Sequence, residues 1–519
     1  MTDYEETTNQ RIAIPGNEDG NEKATILTSL IEMSEPYCIT STRGKILIIS
    51  LTSIAMVITM IATNIVLPVL PILQDQYNVT TTQMNLLVTV FSLVQGITPA
   101  LMSSLSDLQG RRIAWIVTLL IYTVANIGLA LQDSYVALIV LRCLQSLGSS
   151  CAIPFGFAVA ADISSPAERG RYIGPLQGSV MGAFAFGPVI GGLLEPSLGW
   201  RSIFWFLAIG SSAAILAYVL VIPETARSIV GNGSIQPKSR WRRPMLQNLL
   251  RQLRPSFKRR CTQQGESKGS QQGQITFARI VRAFTILAEK DALILVIFTS
   301  LFYSGVTAMW ATTGSHFSRL YNLSTLSVGF SFLPYGVAGC IGSVISGRLL
   351  DLNYQRIQRS HQRTKDCDLK PYKPTDFPYE VARLQVAIPW ALLAALSFIT
   401  YGWIMQTKQS LAVALTLQAL IGLSGTPLLG IIYTLLIDLY PTQAVATQGA
   451  ADLVRCWLGA LFAAVIDYML SSIGWGWSFT FFGFAMLAAL PLLGLVYVRG
   501  PARRAKESHT WSDSTGEKT

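Results

Sequence analysis

The sequence predicts an all-α membrane protein with twelve transmembrane helices in two pseudo-symmetric six-helix bundles. Three observations carry this expectation. Half of the 519 residues are hydrophobic and only 13% are charged, about half the charge of a soluble domain; the mean hydropathy is +0.42. The charges crowd into a few segments, leaving twelve stretches that match the roughly 20 apolar helical residues needed to cross a hydrocarbon core. One long polar gap divides those stretches six and six. This balance excludes a soluble enzyme, a disordered chain and a fibrous protein.

The elements follow in chain order. Residues 1–45 form a polar tail with eight acids and four bases. They lack the basic start and short apolar core of a cleavable signal. Arg43 and Lys45 precede the first span and are expected to hold the amino terminus in the cytosol. Spans are expected at 46–71, 84–104, 113–131, 135–160, 172–194 and 202–222, giving a first bundle over 46–222. The segment 223–292 is rich in Arg, Gln, Ser and Gly. It reads as a disordered cytosolic linker whose basic stretches lie against the anionic inner leaflet. The second bundle, 293–498, comprises spans at 293–317, 327–350, 385–405, 410–437, 447–471 and 476–498, and a cytosolic tail, 499–519, ends the chain.

A tally of Lys and Arg supports this orientation. With the amino terminus inside, 35 of the 40 basic residues fall on the cytosolic side. Arg201, Arg319 and Lys408 fall outside, and Arg142 and Arg455 within spans. That asymmetry is the one the positive-inside rule describes. Both termini are expected in the cytosol and the membrane is expected to be the plasma membrane. The net charge of +11 therefore reflects topology. A nucleic-acid partner would need a water-facing basic patch, and none is expected.

Two Asn-x-Ser/Thr sequons, at Asn78 and Asn322, fall on expected outer loops and are candidate glycosylation sites. A third, at Asn232, falls inside. No cysteine is expected outside, so no disulfide framework is implied. No Cys/His spacing suggests a metal site, and no cofactor is expected. A Walker A sequence is absent, which removes ATP as the direct energy source. No nucleophile–base constellation points to an enzyme.

The two halves share a weak signature. After the second span come Ser103, Asp107, Gly110, Arg111 and Arg112; after the eighth, 244 residues later, come Gly347, Asp351 and Arg356. Each copy has a small residue that permits close helix approach and an acid four places on that suits a helix N-terminus or an arginine. Two copies in corresponding loops favour an internal duplication. In the fifth span, Gly178 and Gly182, like Gly187 and Gly191, are spaced to let helix backbones touch, and Pro188 removes a backbone donor.

The loop signature is similar to the Gly-x-x-x-Asp-Arg-x-Gly-Arg-Arg motif of the major facilitator superfamily, departing from it at Ser103 and Leu108. Arg142 to Gly148 resembles that superfamily's Arg-x-x-Gln-Gly-x-Gly element, with Ser146 in place of a glycine. Gly187, Pro188, Gly191 and Gly192 match the antiporter motif Gly-Pro-x-x-Gly-Gly. With Trp200–Trp205, Pro223–Arg227 and Gly347–Asp351, these pieces resemble the fungal twelve-spanner drug:proton antiporters. Within that family the branch holding quinidine-resistance, dityrosine and citrate exporters is the most similar. The resemblance covers about residues 45–500. It implies a major facilitator fold, alternating access, a gating role for the fifth-span motif and a link between Arg142 and proton coupling.

Arg142 is the one formal charge deep in the first six spans. A mid-membrane charge costs at least about 2.5–3.5 kcal/mol on insertion scales, so it is paired or faces a cavity. Gln145 shares its helix face. It is either a functional cation or a structural arginine satisfying the carbonyls of the neighbouring span. Asn64 occupies the part of the first span where many members of this family carry an acid. The clearest fixed charge is therefore positive, which tilts the substrate towards an anion or a neutral amphiphile. Asp467 and His316 are further titratable candidates. Tyr303, Thr307 and Trp310 share one face of the seventh span. With Gln418, Ser424 and Thr426 of the tenth they are candidates for an aromatic, hydroxyl-lined pocket.

The expected function is secondary active export of a small organic molecule, an organic acid anion such as citrate or an amphipathic metabolite, by proton antiport. The alternative is a multidrug efflux pump; an uptake permease or a non-transporting nutrient receptor ranks below both. The expected partners are the substrate, protons and the lipid bilayer, with the chain acting as a monomer.

Overall fold

The computed structural model describes residues 38–164, 169–235, 243–245, 289–365, 377–440 and 444–515. Among the described residues, ten helical stretches are long and apolar enough to cross a membrane. The second span, Thr81–Gln109, lies beside them. The last stretch is two spans, because Gly474, at φ 77° and ψ 172°, breaks the helix Ala444–Thr515. These make twelve. The third span is Arg111–Leu131, the fifth Arg169–Leu198, the sixth Arg201–Leu220 and the seventh Lys290–Tyr321. The ninth and tenth are Tyr379–Gln406 and Leu411–Leu439.

Three spans expected as single helices are broken, and prolines account for each break. The first consists of Thr42–Ile61, a 3-10 turn Leu67–Val69 and Leu70–Tyr77. The fourth is Tyr135–Ser149 followed by Ala152–Ile163, and the eighth is Thr325–Phe330 followed by Leu333–Lys365. Pro68, Pro71, Pro154 and Pro334 all sit in the first turn of the piece that follows a break. A missing N–H is harmless there and disruptive further in. Two ends also differ from expectation. Leu333–Lys365 runs past residue 350, so Gly347 and Asp351 are helical and not in a loop. The final helix runs past residue 498 to Thr515; within that extension, residues 502–507 are all strong helix formers.

The two sequons are turn hardware. Asn78 and Asn322 cap the helices before them in the left-handed region, both at φ 50°, a conformation Asn tolerates. Two residues on, Thr80 and Ser324 start the next helices, their hydroxyls accepting the N–H of Gln83 at 3.2 Å and of Ser327 at 3.3 Å. Asn78 and Asn322 are 244 positions apart, like Asp107 and Asp351. A second echo lies between the fifth and sixth and the eleventh and twelfth spans. Gly199 and Gly474 have φ 75° and 77°, and each precedes a Trp that packs on the Phe four places later, at 6.0 Å for Trp200–Phe204 and 5.8 Å for Trp475–Phe479. The duplication extends through the turns.

The bundle has two ends. One carries Asn78, Gly199, Asn322 and Gly474; the other carries Gly110, Glu224 and Asp438. At the first, the sequon end, the halves interlock. A Cβ on Gly192 would lie 2.6 Å from the Thr325 carbonyl oxygen, and one on Gly329 2.6 Å from that of Pro188. Across the second and eleventh spans, Asn85 Nδ2 donates to Asp467 at 2.9 Å and Trp457 Nε1 to the Leu93 carbonyl at 3.2 Å. Towards the opposite end, Cβ positions on Gly178, Gly182, Gly347, Gly430 and Gly449 meet no described atom within 4 Å. Among the described residues the contact expected of Gly178 and Gly182 is therefore not made. The halves, again among the described residues, close at the sequon end and part at the other.

Candidate functional site

The break in the first span, the middle of the second span and one face of the seventh line a small, partly open cleft between the halves. Thr63 and Asn64 come from the break, Phe91 and Ser92 from the second span, and Tyr303, Thr307 and Trp310 from the seventh. Their spacing along the seventh span puts all three on one wall, and Asn64 lies with them. Thr307 Oγ1 donates back to the Tyr303 carbonyl at 2.9 Å. Thr63 Oγ1 is buried without a partner, which leaves a polar group beside the cavity. Trp310 packs edge-on to Tyr335 at 5.2 Å and against Phe184 at 5.6 Å. Ser424 takes no part: its hydroxyl donates to Leu420 and Ile421 of its own helix. Gln418 is buried against Thr313 and Tyr401.

Each aromatic wall has a guanidinium behind it. Arg142, only 1% exposed, lies 4.5 Å from the Phe91 ring centroid. It donates to the Ala62 carbonyl at 3.2 Å and to Gln145 Oε1. Gln145 Nε2 passes the chain on to Asn126 at 2.6 Å, and Asn126 to the Tyr122 carbonyl at 2.8 Å. Arg142 Nε is buried without a partner, and no carboxylate pairs with Arg142 among the described residues. The arginine thus satisfies a carbonyl of the first span and also keeps an uncompensated charge one ring away from the pocket.

On the facing wall, Arg455 lies 4.2 Å from the Tyr303 ring centroid. Here a carboxylate is present. Arg455 NH2 and Nε donate to Asp452 at 3.0 and 3.2 Å, and Tyr433 OH donates to the same oxygen at 3.0 Å. Sequence reasoning noted Arg455 and missed Asp452 and Tyr433. The usable signal was the acid three residues before Arg455, within an apolar run. Asp467 takes part in the contact with Asn85, and His316 stacks on Trp475 at 3.9 Å.

The loop signature builds a clamp at the end opposite the sequons. Gly110 stands between the second and third spans at φ 100°, and a Cβ there would run into the Glu224 carboxylate. Glu224 Oε1 accepts the N–H groups of Arg111, Thr225 and Ala226 at 2.8, 3.0 and 3.0 Å. Arg111 Nε pairs with Asp162 at 3.0 Å. Arg112 donates to the carbonyls of Tyr218, Val219 and Arg243 at 3.0, 2.8 and 2.8 Å. The side chain of Asp107 lies outside the described residues. In the second half Asp351 is exposed, and the tie between spans is Arg383–Asp438 at 3.0 Å. In the fifth-span motif, a Cβ on Gly187 would be 3.4 Å from the Ile61 carbonyl oxygen, and one on Gly191 would overlap that of Ile65. Pro188 and Gly192 face the eighth span and the turn before it.

Comparison with known proteins agrees with this architecture. The model of the Major Facilitator Superfamily matches residues 52–464. Citrate exporter 1 of Aspergillus niger is 31% identical over 493 residues, covering 93% of this chain and 91% of that protein. Multidrug transporter QDR2 of Candida glabrata is 32% identical over 449 residues, covering 83% and 76%. Among solved structures, the xylose transporter XylE from E. coli has the same fold, with a TM-score of 0.59 at 14% identity over 88% of this chain and 98% of that one. With twelve helices, duplicated turns and this family match over most of its length, the chain belongs to the Major Facilitator Superfamily.

Proposed function

We propose that the chain is a proton-driven exporter of a small organic anion or amphipathic metabolite, working by alternating access as a monomer. The observation that carries this reading is the charge at the pocket: one guanidinium, Arg142, buried with no carboxylate partner among the described residues, behind a wall of otherwise uncharged side chains. In a low-dielectric site an uncompensated positive charge favours an anion and repels a cation. The citrate exporter among the relatives supports the same choice. The bundles at 46–222 and 293–498 would act as the two moving bodies. The end opposite the sequons faces the cytosol with both termini, and the membrane is the plasma membrane. The multidrug reading has its own support in the aromatic wall of Tyr303 and Trp310 and in the relative named for it.

The test is transport in sealed cells with an energised membrane. A protonophore should abolish uphill efflux of an organic acid, whereas depleting ATP with the proton gradient held should not. Uphill efflux that persists without a gradient would refute proton coupling.

A further inference from the structure

The two walls of the pocket are alike except in charge. Phe91 is backed by Arg142 at 4.5 Å and Tyr303 by Arg455 at 4.2 Å. Arg142 keeps its charge uncompensated. Arg455 does not, because Asp452 lies 3.0 Å away and Tyr433 OH holds the same carboxylate oxygen in place. Cys456 borders this pair on the same helix. The arginine and the acid are 14% and 18% exposed, so solvent screens them weakly.

Summed over both walls, the pocket sees one net positive charge rather than two. A tricarboxylate would bring three negative charges against that one and leave two desolvated without partners, which is costly. A hydrophobic cation would meet the uncompensated Arg142. A single negative charge on an apolar body meets neither penalty, and the Trp310, Tyr335 and Phe184 cluster offers that body a surface to pack on.

We infer that the Asp452–Arg455 pair determines charge specificity: by cancelling one of the two guanidinium groups behind the pocket, it selects singly charged amphipathic anions over multiply charged ones. This rests on the anion reading above and sharpens it. Asp452 is then a specificity-determining residue, acting through Arg455.

The experiment measures binding to the purified full-length protein at neutral pH. The probes are naphthoate, an aromatic monoanion; citrate, a multiply charged anion; and rhodamine 6G, a hydrophobic cation. Wild type should bind naphthoate more tightly than citrate. Asp452→Asn uncovers the second guanidinium, and a charge at such range in a site of effective dielectric near 20 should raise citrate affinity relative to naphthoate at least about tenfold. Adding Arg455→Gln to Asp452→Asn should return the ratio to the wild-type value, which a merely destabilised protein would not do. A wild-type preference for citrate, or a ratio unmoved by Asp452→Asn, overturns the inference and leaves the anion reading standing. Wild type that binds rhodamine and neither acid overturns both.

Discussion

A buried arginine is informative because its partners can be counted. Arg142 has a carbonyl, an amide oxygen and a ring, and still keeps Nε unsatisfied. Both roles weighed for it from the sequence, structural donor and functional cation, thus have a physical basis. They are separable by substitution. Arg142→Lys keeps the charge but loses the planar fork, so anion binding should weaken. Arg142→Ala should lose more, about ten- to a hundredfold, the worth of a charge-assisted bond in a buried site. Binding and uphill export must be measured on the same variants. Retained binding with failed export would assign Arg142 to coupling and remove it from recognition. Asp452, by contrast, was not found in advance. Sequence inspection weighs charges singly, and the worth of this acid lies in a ring of the seventh span and a hydroxyl of the tenth that only folding brings to it.

Whole helices were legible because a run of about 20 apolar residues has few alternatives. Breaks within them were not, because one proline in the first turn of a second helix has the same composition as one inside a continuous helix. The break over residues 62–66 was missed for that reason; it places Asn64 beside the cleft. The glycine spacing of the fifth span was half right. Gly187, Gly191 and Gly192 make close contacts with neighbouring backbones, while Gly178 and Gly182 do not in this arrangement, because spacing encodes the capacity for contact and not the conformation that uses it. Two predictions belong here. Gly191→Val should reach the membrane yet lose export, since any side chain there displaces the Ile65 carbonyl; normal export would make the motif inert packing. The sequons should carry no glycan, because their Asn and Ser/Thr already serve as helix caps in tight turns. Glycosidase treatment should leave the electrophoretic mobility unchanged, and a shift lost in Asn78→Gln would show that the caps do not protect them.

On the scale of the molecule, the halves touch along two seams near one end and part at the other, so export requires these seams to open. The seams are built differently. One is backbone against backbone, where Gly192 meets Thr325 and Gly329 meets Pro188. It separates with little desolvation of charge, because its groups are uncharged carbonyls and small residues. The other adds the Asn85–Asp467 hydrogen bond, a polar tie between the second and eleventh spans. If the first seam is the gate, fixing it should stop turnover without emptying the pocket. Cysteines at Val189 and Leu326, whose backbones lie against Gly329 and Gly192, in a chain whose seven native cysteines are replaced by serine, can be joined across the seam by a short bis-methanethiosulfonate reagent. Joining them should abolish export, and a reductant should restore it. Substrate should still bind from the open end with near wild-type affinity, because Arg142 and the ring walls lie outside the seam. Export that continues with the pair fully cross-linked would mean that the halves do not separate there, and that the fifth-span motif is not the gate.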